Sequence, residues 1–443
     1  MRRFSCAAAA EAEGFRPCRR CRPETAPGTP AWSGTSGTVS RALRLISEGA
    51  LDSGDVDGLA DRLGVGARHL RRLFDRHLGA SPIAIAQSRR VGFARTLIDQ
   101  TTLPMGEIAF ASGFSSVKRF NTSIRETFER TPSELRKLAK SRTAGPGRGI
   151  SLRLAYRPPY AWDEVMQYLE RRAVPGVEEV RDGIYRRSAV VDGEAALIEV
   201  EPAPEKNQAV VTLRTSVRRE FRDTVERVRR VFDLEADPLR ISSHLEQDPA
   251  LRSAVRKRPG LRVPGAWDPF EIAVRAILGQ QVSVKGATTL AGRLAARYGE
   301  RIVGAELPGP TLLFPAAERL RRARLETLGM PATRASAIRE LARRVSDGTL
   351  PLRWGEFPGD LHEQLTDIPG IGDWTAQYIS LRALGQPDVF LPGDLGVRKA
   401  LADADGKLPS IRACEARSEA WRPWRGYAVL HLWFAEADGK DTP

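Results

Sequence analysis

Two short stretches in the last quarter of the chain hold residues that could do chemistry. The first is the turn Pro369-Gly370-Ile371-Gly372. Its glycines predict a backbone that takes conformations a Cβ forbids and lets a partner approach closely. Behind it, Thr375, Ala376, Ile379 and Leu381 continue a helical run, whose first turn leaves N–H groups without internal acceptors; such groups bind phosphate. The second is Asp394, which ends Phe390-Leu391-Pro392-Gly393-Asp394 and precedes the run Leu395 to Leu401. A carboxylate there can cap a helix, or supply negative charge or a general base at a reacting centre. A Pro-Gly-x-Gly turn is also common punctuation between helices, so both readings stand at this point. A third stretch, Cys18-Arg19-Arg20-Cys21, has the spacing of half a metal site. The remaining cysteines, Cys6 and Cys414, are too few for a disulfide framework, and no histidine pair supplies a second half.

These groups need elements to hold them. Residues 25–37 form a Pro/Gly/Ser/Thr linker, and from Thr38 to about Arg142 the pattern is helical, with one unit written twice. Leu59, Ala60 and Leu63 precede a turn at Gly64-Val65-Gly66, after which Leu70, Leu73 and Phe74 share a helix face and leave Arg68, Arg71 and Arg72 to solvent. Ile108, Ala109 and Ala111 precede Gly113, after which Val117, Phe120 and Ile124 recur beside Ser116, Lys118 and Arg119. Two helix-turn-helix units joined by a helix around Ile83 to Ile98 are predicted. Beyond a linker at 143–151, Leu152 to Tyr156, Ile184 to Val191, Ala195 to Glu201 and Ala209 to Arg214 read as strands, with helices over Trp162 to Arg172 and Arg218 to Phe232. That set packs as an antiparallel sheet with two helices. From Asp237 onward the pattern is helical again.

The formal charge is +14, and residues 1–145 hold 24 Lys/Arg against 14 Asp/Glu, so +10 of it sits in that third. A basic front end suits a polyanion, though charge alone serves solubility equally. No apolar run reaches the ~18 residues of a membrane span, and the N-terminus lacks a signal-peptide core. The expectation is a soluble, cytoplasmic, nucleoid-associated protein with no membrane partner.

Several stretches resemble known families. Gly14 to Pro23 resembles the end of the zinc-binding methyl-acceptor domain of Ada-type alkylation-response regulators, where four cysteines hold zinc; Cys18 and Cys21 match its second pair. The first pair would lie before Met1, so a truncated segment over 1–24 is expected, with an incomplete zinc site and no methyl transfer. The tandem units, closing on Phe128 to Arg136, resemble the AraC-type DNA-binding domain over 38–142, implying DNA contacts from Arg68, Arg71, Arg72, Ser116, Lys118 and Arg119. Tyr156 to Trp162 and Arg230 to Leu234 resemble the N-terminal α/β domain of AlkA-type 3-methyladenine glycosylases, over 150–235, which is assigned a supporting role. The turn at Gly370, Ile371 and Gly372 with Asp394 downstream resembles the helix-hairpin-helix of the DNA glycosylase superfamily, over 236–440, with Asp394 at the catalytic aspartate's position.

The fold class that follows is multidomain: an all-α tandem helix-turn-helix, a small α+β antiparallel-sheet domain, and an all-α helix-hairpin-helix glycosylase domain. The resemblance implies hydrolysis of the N-glycosidic bond of alkylated bases in duplex DNA. Asp394 would stabilise the oxocarbenium-like sugar and activate water, and Trp374, Tyr378 and Trp433 match the family's aromatic base pocket. Gln281 falls where the family inserts an apolar wedge into the gap left by a flipped base. Trp374 occupies the position that holds a Schiff-base lysine in glycosylases that also cut the backbone, so a monofunctional enzyme without a catalytic cofactor is expected. Double-stranded DNA is the implied partner, and RNA polymerase a second if the front end regulates transcription. The alternative is a transcription regulator whose helix-hairpin-helix half is only a DNA clamp.

Overall fold

The computed structural model describes residues 6–15, 37–139, 149–191, 193–215, 221–302, 309–352 and 361–441. Cys18 and Cys21, the partial zinc site, lie outside the described residues. The helix Ala7–Ala12 packs Ala8 and Ala9 into the first helix-turn-helix core, and Glu11 accepts from Ser88 at 3.1 Å.

The repeated unit is built as its pattern predicts. Val56–Arg62 starts on an Asp55 cap and is followed by Ala67–Leu78, which buries Leu70, Phe74 and Leu78. Met105–Ala111 is followed by Val117–Phe128, which starts on a Ser116 cap and buries Phe120 and Ile124. The helix between the units, Pro82–Gln100, is buried on most of its circumference. A helix apolar on several faces packs against more than one partner. One is the next domain: Val91, Leu97 and Phe120 share one continuous core with Leu152, Leu154 and Val211 of the sheet.

That sheet has five antiparallel strands in the order β1-β5-β4-β3-β2, with β1 Gly149–Ala155, β2 Glu178–Arg181, β3 Ile184–Val191, β4 Glu194–Ala203 and β5 Gln208–Arg214. Four of these follow the predicted alternation. The short β2 was not anticipated, because Glu-Glu-Val-Arg reads as solvated surface. Glu178 is nonetheless buried, since Arg187 (3.2 Å), Arg275 (2.7 Å) and the Tyr185 hydroxyl (2.7 Å) all donate to it. Arg187 also pairs with Glu271 on the helix Pro269–Leu278, which ties the sheet to the helical domain. A paired, hydrogen-bonded charge cluster tolerates burial that a lone charge does not.

Polar contacts reinforce the docking of the front domain. Arg44 donates to the carbonyls of Leu384 (2.8 Å) and Gly385 (2.7 Å), just beyond the helix Asp373–Arg382. Asp52 pairs with Arg90 (3.1 Å) and Arg222, and Glu48 with Arg230 (3.5 Å). Burial pushes the Glu48 carboxyl up to about 8, even against the pull of Arg230.

The helical domain has two cores. One joins Pro269–Leu278, Val284–Tyr298 and Ala332–Ser346 to Leu365, Ile368, Ile371, Ala376 and Ile379 of the hairpin. The other gathers Phe390, Leu391, Val397, Trp421 and Tyr427. Tyr378 packs against both. Among the described residues no helix is long and apolar enough to cross a membrane.

The buried charge cluster makes a stability prediction. Glu271→Ala leaves Arg187 with one carboxylate partner fewer in a dry site and should cost about 3–5 kcal/mol, read as a lower urea midpoint; an unchanged midpoint would show that the cluster contributes nothing.

Candidate active site and DNA interface

The hairpin places the pocket helix. Leu361–Thr366 leads into the turn, and Asp373–Arg382 leaves it with Gly372 as N-cap. Gly370 has φ +94°, and a Cβ there would come 3.1 Å from the Ala337 Cβ, so the turn requires glycine at this position. Gly372 departs from expectation: its φ is −92° and nothing lies within 4 Å of where its Cβ would sit. Its backbone is ordinary, and what its lack of side chain leaves is open space before the helix N-terminus. The Ile371 side chain is buried and its N–H donates to the Ile368 carbonyl at 2.9 Å, so it anchors the turn from within.

Asp394 serves as a cap and at the same time faces a cleft. Oδ1 accepts from the Val397 N–H (2.9 Å) at the start of Leu395–Ala400 and from the Trp433 indole N–H (2.8 Å). Oδ2 accepts from the Trp374 indole N–H at 3.0 Å. Three donors from three helices fix the plane of the carboxylate, and a carboxylate has about four acceptor directions, so roughly one stays open for a ligand. Gly396 makes room for this arrangement, because a Cβ there would come 3.1 Å from Trp433 Cδ1 and 3.2 Å from Asp394 Oδ1.

The three expected aromatics meet at this carboxylate. Trp374 and Tyr378 stack with centroids 5.2 Å apart and planes at 19°, and Tyr378 lies 6.3 Å from Trp433. They line a cleft of about 550 Å³, in the size range of a small-molecule site. Sequence reasoning treated these side chains as stacking surfaces; that both indole N–H groups hold the carboxylate was not legible.

The α+β domain has more than the supporting role assigned to it. Gln167, Tyr168, Arg171 and Arg172 reach the cleft from the end of Trp162–Glu170, and Arg275 and Arg382 join them. The Arg172 guanidinium sits 3.8 Å over the Tyr168 ring, and Arg382 donates to the hydroxyls of both Tyr168 and Tyr378, the latter at 3.0 Å. Tyr168 and Arg172 are one helical turn apart on the helix predicted over Trp162 to Arg172, and that i, i+4 aromatic–arginine pair was the available signal.

Gln281 stands exposed at the bend between Pro269–Leu278 and Val284–Tyr298, with φ +54°. The bend is tied to the hairpin by Gln280, whose Nε2 donates to the Gly370 carbonyl (2.8 Å) and the Thr375 hydroxyl (3.0 Å). The exposed apolar side chains here are Val282 and Val284, both at the cleft. In the front domain Arg68, Arg71, Arg72, Lys118 and Arg119 are exposed, while the Ser116 hydroxyl accepts from the Arg119 N–H at 3.3 Å and so caps its helix. Among the described residues no group of three or more His, Cys, Asp or Glu side chains is placed to hold a metal ion.

Comparison with known proteins agrees with this architecture. Residues 59–138 match the helix-turn-helix domain, residues 151–268 the AlkA N-terminal domain, and residues 274–425 the HhH-GPD superfamily of base excision DNA repair proteins. The chain is 44% identical over 434 residues to a probable bifunctional transcriptional activator/DNA repair enzyme AlkA of Mycobacterium tuberculosis, covering 96% of this chain and 86% of that one. It is 36% identical over 291 residues to DNA-3-methyladenine glycosylase 2 of Escherichia coli, covering 64% of this chain and 96% of the relative. The solved 3-methyladenine DNA-glycosylase of Archaeoglobus fulgidus superposes with a TM-score of 0.57 at 26% identity, over 64% of this chain and 98% of that one. A tandem helix-turn-helix docked on an AlkA-type sheet and helix-hairpin-helix core, with sequence identity running through all three, means that the chain belongs to the AlkA family of DNA repair proteins, in its form fused to a transcription-regulator domain.

Proposed function

We propose that the chain is a monofunctional DNA glycosylase for alkylated bases, carried on the same protein as a sequence-specific DNA-binding regulator. The observation that carries the proposal is the Asp394 carboxylate, fixed by the Trp374 and Trp433 indoles at an aromatic cleft beside the hairpin. An N-alkylated purine leaves as a neutral base, taking the electron pair of the N-glycosidic bond. Positive charge then develops on the sugar. A pre-oriented carboxylate stabilises that charge at no reorganisation cost, and can take the proton of the water that adds to C1′.

The lining of the cleft supports the monofunctional reading. It holds four arginines but no lysine among the described residues, so no amine is present to attack C1′. Trp374 can donate a hydrogen bond and stack, but cannot form a Schiff base. The Gly370–Gly372 turn and the open N-terminus behind it suit a DNA phosphate, and the Gln281 bend would enter the gap left by the flipped base, with Val282 the apolar group nearest to hand. In the regulator half, RNA polymerase would be the second partner, in keeping with the activator in the name of the M. tuberculosis relative.

Asp394→Asn should lower base release from methylated duplex DNA by about 10² to 10³, with strand breaks in the wild-type reaction only after alkali. Wild-type breaks without alkali would point to a lyase, and duplex binding without base release to a clamp. Trp374→Phe keeps the stacking but deletes one donor to Asp394, so kcat should fall about tenfold with KM little changed; equal kcat would mean that the indole N–H orients nothing. Arg71→Ala with Arg72→Ala should weaken operator binding and reduce the salt slope by about 2, measured by titration at several salt concentrations, while base release from a short damaged duplex persists.

A further inference from the structure

One part of the cleft lining has a hydrogen-bonding character that its aromatic rings conceal. Arg382 donates to the Tyr378 hydroxyl at 3.0 Å and also to the Tyr168 hydroxyl. A guanidinium can only donate, so both phenol oxygens are acceptors here and each keeps its own O–H proton to place. At most one of those protons can go to the other phenol. Among the described residues neither hydroxyl donates to a carbonyl or carboxylate. Tyr168 is buried at 5% exposure, whereas Tyr378 is half-buried and lines the cleft between Trp374 and Trp433. The spare proton therefore belongs in the cleft, on Tyr378.

The charges behind this wall have the same bias. Arg275 and Arg187 are neutralised by Glu178 and Glu271. Arg172 and Arg382 have no carboxylate within ion-pair distance among the described residues, and both lie over the Tyr168 ring, at 3.8 and 4.7 Å. The wall thus presents donors and net positive charge, which favours a carbonyl oxygen and disfavours an amine.

Building on the glycosylase function proposed above, we infer that the Tyr378 hydroxyl, set by Arg382, Tyr168 and Arg172, is a base-reading donor that selects damaged purines carrying a carbonyl at C6 over those carrying an amine. 7-Methylguanine and 3-methyladenine form the diagnostic pair. Both are cationic N-methylpurines as nucleotides; the first presents a C6 carbonyl, the second a C6 amine. A site built to pair with one polar group discriminates strongly against its absence, because its own buried polar atoms are left unpaired.

Titration gives the inference a second handle. Tyr378 shares the cleft with Tyr168, Arg171 and Arg172 from the sheet domain, Arg275 from Pro269–Leu278, Arg382 on its own helix, and Asp394 and Glu436. Burial raises its phenol, but Arg382 and then Arg172 outweigh burial and draw it down to about 8. Below that pH the group is a donor, and above it the phenolate can only accept.

The test is release of both bases from one preparation of methylated duplex DNA by the full chain and by Tyr378→Phe, which keeps the ring and removes the hydroxyl. The expected result is a fall of about tenfold in the ratio of 7-methylguanine to 3-methyladenine kcat/KM, whatever common loss the two bases share. The wild-type ratio should also decline as pH rises through about 8, and more steeply than that of the variant. An unchanged ratio, an equal loss for both bases, or identical pH profiles in the two proteins would overturn the inference. Release of neither base by wild type is the distinct failure of the glycosylase function itself, and this inference falls with it.

Discussion

The structure turns on one carboxylate with three donors. Asp394 is held by a backbone N–H of its own helix, an indole on the helix behind the hairpin and an indole on the C-terminal helix Arg425–Asp441. All three donors sit in or against one hydrophobic core, and the helix behind the hairpin also sends Ala376 and Ile379 into the other, so the position of Trp374 depends on both. The hairpin, with Gly370 in its left-handed turn and Gln280 bridging to it, sets where Trp374 starts. Gly396 leaves the room that lets Trp433 close the site. The geometry proposed to stabilise a developing cation is thus a product of tertiary packing, although every group in it is a local feature of sequence.

The same dependence extends across the domains. The sheet supplies Tyr168 and Arg172 to the cleft and is fastened to the helical domain by the buried Arg187, Glu178, Glu271 and Arg275 cluster. The regulator half is fastened in turn, by a continuous apolar core with the sheet and by Arg44 on the carbonyls that end the pocket helix. Buried ion pairs of this kind contribute little net stability but penalise misdocked arrangements, in which charges would be left unpaired. Among the described residues the two DNA-binding units therefore pack directly against each other.

Local patterns were legible in the sequence. The repeat of helix-turn-helix units, four of five strands and the hairpin all follow from spacing of apolar residues and glycines, and Asp394 with its aromatic set followed from motif resemblance. What was not legible depends on partners distant in the chain. Glu178 looked like surface because its arginines lie 9 and 97 residues away. Tyr168 drew no functional reading because Arg382, which turns its hydroxyl into part of a polar wall, is 214 residues on. Ile371 and Gly372 share a turn motif with Gly370, yet one is a core anchor and the other an ordinary extended residue beside open space. Composition cannot separate such roles, since they are set by which N–H groups the fold has already used.

The central claim is that Asp394 acts by opposing positive charge at C1′. It is tested most directly by equilibrium binding of a duplex carrying a cationic pyrrolidine ring in place of the damaged sugar, compared with a neutral tetrahydrofuran at the same position. Wild type should bind the cationic ring at least tenfold more tightly than the neutral one, and Asp394→Asn should lose that preference while holding the neutral duplex unchanged. Equal affinity of the wild-type protein for the two duplexes would contradict the account.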